Sequence, residues 1–79
     1  ASPNAMIVHG IPGSYRLEEG DIISLDVGVR YEGFVTDSAT TVPVGEVPDK
    51  TVGLLETTRE CLVAASEQMR AGNRLGDVG

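Results

Sequence analysis

Residues Asp21 to Thr41 read DIISLDVGVRYEGFVTDSATT. Ile23, Leu25, Val27, Val29 and Tyr31 alternate with Ser24, Asp26, Gly28 and Arg30, the period-two pattern of a strand with one apolar face. Glu32 and Gly33 fit a two-residue turn. Phe34 to Val42 continues with valines, threonines and an aromatic, all good strand formers, until Pro43 and Gly45 close the segment. The expected unit is therefore a β-hairpin. Its oddity is that Asp26 and Asp37 occupy strand interiors, where aspartate is depleted.

Hairpin parity decides where these carboxylates point. If Glu32-Gly33 is the whole loop, Tyr31 faces Phe34 and Asp26 lies opposite Ala39. Side chains alternate along a strand, so Asp37 shares the face of Ala39 and becomes a diagonal neighbour of Asp26. A four-residue loop keeps this parity, whereas a three-residue loop without a bulge puts the aspartates on opposite faces. Diagonal neighbours lie about 7–8 Å apart at the backbone, and carboxylates can lean together from there. Two such carboxylates repel, and the repulsion is relieved by a shared proton or by a cation between them. A pair of divalent ions about 3.5–4 Å apart is one arrangement of this kind, used in hydrolysis. Gly28, Ala39 and Thr41 on the same face leave room for it. The pattern alone favours a face turned to water, with Ser24, Asp26, Arg30 and Asp37 solvated, as antiparallel sheets commonly have.

Upstream, Met6, Ile7 and Val8 form a short apolar run that predicts a strand leading into a loop at HGIPG, where Gly10, Pro12 and Gly13 interrupt regular structure. Downstream of Pro48 the period changes. Val52, Leu55, Leu62, Ala65 and Met69 fall on one helical face, with Asp49 as the expected N-cap and Gly72 as the expected stop. This predicts an amphipathic helix of about five or six turns. Its stripe needs a surface, and the Leu25, Val27, Val29 and Tyr31 face of the hairpin is the candidate. Glu56, Glu60 and Glu67 form the exposed face. Leu75 to Gly79 resembles the first turn of another helix. No internal repeat or linker is visible.

The chain has 79 residues, 23% charged and 41% hydrophobic, with a net charge of -6. That composition is globular rather than disordered, and the negative charge disfavours nucleic acid as a partner. A chain of this size buries only roughly 60% of its unfolded surface, so a deep enclosed site is not expected from it alone. Cys61 is the single cysteine and cannot form an internal disulfide. Its place in a helical apolar pattern predicts a buried core thiol, and a reducing compartment fits best. No apolar run approaches the roughly 18 residues of a membrane span, and the N-terminus lacks signal-peptide character. A cytoplasmic protein is expected.

NAMIVHGIP (residues 4–12), GDIISLDVGVRYEGFVTDSATTVPVG (residues 20–45) and RAGNRLGDVG (residues 70–79) occur in that order. Together they resemble the type I methionine aminopeptidases, over nearly the whole chain, and HGIP is the most discriminating part. The resemblance implies an α+β piece of the pita-bread aminopeptidase fold, a β-hairpin sheet packed against a long amphipathic helix. In that fold two related halves surround a central dinuclear site. Residues 1–79 would form part of the N-terminal half of the catalytic domain, with the C-terminal half absent from this chain. The implied activity is removal of the initiator methionine from nascent proteins with small second residues, by a metal-bridging hydroxide. By the same resemblance Asp26 matches an aspartate that binds one metal, and Asp37 the one that bridges both. His9 matches a catalytic histidine that contacts substrate and helps stabilise the tetrahedral intermediate. The implied cofactors are two divalent ions drawn from cobalt, manganese, iron or zinc, and the backbone around Asn4 and Met6 matches part of a monovalent cation site. The implied partners are nascent polypeptide N-termini and the ribosome that presents them, with no nucleic acid bound directly and no membrane.

Two departures qualify the expectation. Val8 stands where many members have a cysteine. The histidine and two glutamates that complete the family's metal site cannot be assigned, since His9 is the only histidine. An isolated chain of this kind is expected to be inactive and to bind metal weakly. The alternatives are an Xaa-Pro peptidase of the same fold, against which HGIP argues, and a non-catalytic pita-bread binding module.

Overall fold

The computed structural model describes residues 1–79. The elements run β1 (Ser2–Pro3), β2 (Ile22–Tyr31), β3 (Phe34–Pro43), α1 (Asp49–Gln68) and α2 (Leu75–Val78), an α+β arrangement. They fall into two compact units, Ala1–Pro48 and Asp49–Gly79.

The first unit is a three-stranded antiparallel sheet in the order β1-β2-β3. Its frame is the β2/β3 hairpin, which pairs without interruption from Tyr31↔Phe34 at the turn to Ile22↔Pro43 at the far end. Backbone bonds carry the pairing one step further, from Val44 N to the Asp21 carbonyl (2.8 Å) and from Gly20 N to the Val44 carbonyl (2.9 Å). Glu32 and Gly33 both lie in the left-handed region, at φ 47° and 87°. That is the backbone of a type I′ turn, whose twist matches that of the strands it joins. The loop is thus two residues long, and the three-residue alternative is removed.

The short partner strand is Ser2–Pro3 and not the Met6–Val8 run that the apolar pattern suggested. Asn4 accounts for the difference. Its backbone N–H donates to the Ile22 carbonyl (2.9 Å), but its side-chain Oδ1, not the next backbone carbonyl, accepts from Ile22 N (3.1 Å). With Asn4 at φ 50° and Met6 N donating to the Pro3 carbonyl, the chain turns off the sheet before Met6. Ile7 is left 86% exposed. The buried centre of this unit is small: Ile23, opposite Pro3 and Val42, is the buried apolar residue, and Ser2 the buried polar one.

In the second unit α1 has the expected length of 20 residues. Asp49 is its first residue rather than a preceding cap, where its charge still favours the positive end of the helix. The helix ends at Gln68, short of Gly72. Arg70 Nε donates to the Glu67 carbonyl (2.6 Å) and Asn73 Nδ2 to the Gln68 carbonyl (2.9 Å), so side chains satisfy terminal carbonyls that a glycine cap was expected to satisfy. The expected second helix begins at Leu75.

Two expectations about burial fail together. No residue of α1 is buried, and Cys61, read as a core thiol, is exposed. Leu25, Val27, Val29 and Tyr31, the surface expected to receive the helix, are exposed as well. Within its own unit α1 has only the four-residue α2 beside it, which cannot cover a stripe of five to six turns.

The turn is open to test. Glu32→Asn relieves a left-handed glutamate and is expected to stabilise the hairpin by about 1 kcal/mol, while Gly33→Val should destabilise it by about 1–2 kcal/mol or more. Urea denaturation followed by circular dichroism checks both signs.

Candidate metal centre

The ladder register answers the parity question directly. Asp26 lies opposite Ala39, and Asp37 lies opposite Gly28. Asp26 and Gly28 are two apart on β2, so both aspartates stand on one face as diagonal neighbours. Both are exposed. A Cβ built on Gly28 would meet nothing within 4 Å, so the space beside the carboxylates is open. Across the next rung, Ser24 Oγ and Thr41 Oγ1 are hydrogen-bonded at 2.8 Å, which closes that end of the face with a neutral pair. Arg30, opposite Val35, is the one cation of this hairpin face and lies on the turn side of Asp37.

The donor set suits a hard or borderline divalent cation: two carboxylates on rigid backbone, an open approach and a polar rim. It is incomplete as it stands. No group of three or more His, Cys, Asp or Glu side chains in the chain is placed to hold a metal ion, so His9 is not drawn in as a third ligand.

His9 reaches the same sheet by another route. It is exposed and sits at φ 57°, an uncommon conformation for a residue with a Cβ. The following residue is pinned: Gly10 N donates to Ser2 Oγ at 3.1 Å, and Ser2 pairs with Ser24 of β2. A side chain at Gly10 would run into the Ala1 carbonyl oxygen and approach the Met6 sulfur to 2.8 Å, so only glycine admits this close passage. The histidine loop is thereby anchored beside the strand whose same face, two residues beyond Ser24, carries Asp26.

A second polar cluster was not anticipated from the sequence. Asp21 Oδ2 accepts from the Tyr15 hydroxyl (2.7 Å) and from Glu18 N (2.9 Å), and its Oδ1 accepts from Asn4 Nδ2 (2.9 Å). The Glu18 N–H, then the Asn4 amide and the Tyr15 hydroxyl, hold the Asp21 carboxyl below its ordinary value. The Tyr15 phenol is pushed up, chiefly because its proton is held by Asp21. A Gly-Asp step before an alternating run reads as a strand entry, and nothing in the spacing marks Tyr15 as its partner. The one available signal was a polar Asn4 at the edge of an apolar run.

The whole chain, residues 1–79, matches the model for metallopeptidase family M24. It is similar to methionine aminopeptidase 1 of Bacillus subtilis (strain 168), with 46% identity over 77 residues, covering 98% of this chain and 31% of that relative. The methionine aminopeptidase of Treponema pallidum (strain Nichols) is 42% identical over 74 residues, covering 94% and 29% respectively. That of Aquifex aeolicus (strain VF5) is 40% identical over 78 residues, covering 98% and 30%. The chain thus spans about 30% of the length of the curated relatives it matches. With a family match from first residue to last, the chain belongs to metallopeptidase family M24.

Proposed function

We propose that this chain is part of the N-terminal half of a pita-bread catalytic domain that removes the initiator methionine from nascent proteins. The observation that carries the reading is the placement of Asp26 and Asp37 on one open face of the β2/β3 ladder. The relatives named methionine aminopeptidase support it over an Xaa-Pro peptidase.

In this reading Asp26 and Asp37 would be the residues that hold two divalent cations, with Asp37 contributing to both. When bound, such ions supply an activated water and neutralise negative charge developing on the scissile carbonyl. His9 contacts the substrate and donates a hydrogen bond to the oxygen of the tetrahedral intermediate. Water adds across the first peptide bond, releasing methionine and a chain with a new amino terminus. Substrates are polypeptides that begin with methionine and a small second residue, presented at the ribosome in the cytoplasm. No helix is long and apolar enough to cross a membrane. Manganese, iron, cobalt and zinc all suit the donor set, and the backbone near Asn4 and Met6 is the candidate monovalent cation site.

Ligand number limits the chain by itself. Two carboxylates supply at most four oxygens, whereas two ions of coordination four to six need at least eight ligand positions between them, bridging groups counted twice. The remaining protein ligands are assigned to the rest of a protein of the relatives' length.

Two outcomes are expected. In the full-length protein, Asp37→Asn should lower release of methionine from a Met-Ala peptide by more than about a hundredfold, beyond the loss typical of groups outside the ligand shell. Retained activity, or cleavage of Xaa-Pro peptides in preference to Met-Ala, would sink the assignment. For the 79-residue chain alone, titration calorimetry with manganese should give binding no tighter than about 10⁻⁴ to 10⁻³ M, as for sparse carboxylate sites. Micromolar binding would show that the ligand set is already complete.

A further inference from the structure

The segment between β1 and β2 carries His9 with no regular secondary structure to hold it. What holds it instead converges on one side chain. Asn4, five residues before His9, and Tyr15, six residues after it, both donate to the Asp21 carboxylate, one to each oxygen. Glu18 N adds a third bond. Asp21 is itself fixed, because its carbonyl accepts from Val44 N in the extension of the hairpin ladder. The carboxylate therefore ties both limbs of the loop to the end of the strand that carries Asp26.

Tyr15 contributes to this tie through its hydroxyl more than through its ring. The residue is 57% exposed, so the ring packs little, while the hydroxyl makes a short bond to an ionised acceptor. The left-handed backbone at His9 and at Asn4 needs a surrounding structure that over-determines it. The Gly10 bond to Ser2 constrains the loop next to His9, and the Asp21 tie constrains its two ends.

We infer that Asp21 and Tyr15 are positioning residues for His9: the carboxylate closes the loop, and the phenol secures the limb on the far side of the histidine. The inference rests on the aminopeptidase reading, which gives His9 an oxygen to contact. A histidine whose contact strengthens in the transition state loses rate, not substrate affinity, when its loop loosens.

The test uses the full-length, metal-loaded protein, with amide hydrogen exchange beside hydrolysis of a Met-Ala peptide. In Tyr15→Phe the amides between residues 5 and 14 should exchange faster while those of β2 and β3 keep their protection. Its kcat should fall about tenfold at unchanged KM, a loss in the range expected of small misplacements. Asp21→Asn, which turns one acceptor into a donor facing other donors, should lose more. Combined with His9→Ala, Tyr15→Phe should add no further loss, since a positioning residue has nothing left to position. Unchanged loop exchange, unchanged kcat, or losses that multiply in the double variant would each overturn the inference. A wild-type protein that leaves the peptide whole overturns the aminopeptidase reading and with it the role given to His9. That result differs from an active wild type matched by an equally active Tyr15→Phe.

Discussion

The left-handed pair Glu32-Gly33 sets the register of the long ladder, and through it the face on which every residue of β2 and β3 stands. A slip of one residue would move Asp37 to the face of Val27 and Val29, away from Asp26, because the side-chain period of a strand is two. Two terms resist the slip. The I′ turn matches the strand twist only with two central residues, and an uninterrupted run of pairs from Tyr31↔Phe34 to Ile22↔Pro43 would have to re-form elsewhere. The position of the carboxylates is thus a property of backbone hydrogen bonding, independent of any contact that the carboxylates make. Under the proposed reading, such a frame would keep the two carboxylates in place with or without a cation.

The histidine is held by different means. Its loop has no ladder, and polar side chains replace one: Ser2 for Gly10, Asn4 for the missing strand partner of Ile22, and Asp21 for the two limbs. Side-chain ties of this sort allow local opening without melting the sheet. In the proposed reading such an opening would displace His9 and leave Asp26 and Asp37 in place. The division between a rigid carboxylate face and a tied histidine loop follows from where backbone pairing stops, at Asn4.

Much of this was legible in the sequence, and the reasons differ by element. The hairpin was legible because its alternation and its turn agree, two independent local signals pointing to one register. The long helix was legible from its period and its start from Asp49, but its C-terminal end was not, since Arg70 and Asn73 rather than Gly72 satisfy the terminal carbonyls. The short strand was misplaced to Met6–Val8 because an apolar run carries the usual strand signal, whereas Ser2–Pro3 pairs through backbone alone. The Asp21 tie was invisible because it joins residues six and seventeen positions apart with no periodic relation. Cys61 and the helix stripe were assigned burial on the premise that an amphipathic face finds a cover within the chain.

That premise links the apolar surfaces to the candidate metal centre. The hairpin has two faces, and each lacks something. One presents Leu25, Val27, Val29 and Tyr31 to solvent, and full burial of an aliphatic side chain contributes about 1.5–3 kcal/mol. The other presents two carboxylates that no third His, Cys, Asp or Glu joins in a metal-holding group. Both shortages sit on the same ten-residue strands. Under the proposed reading, a protein of the relatives' length would supply a cover for one face and further ligands for the other. Covering the apolar face would fix the hairpin against a larger body. The opposite face, held by the same strands, would then be fixed relative to any ligands that body supplies. Burial on one side of the sheet is in this way a means of setting coordination geometry on the other.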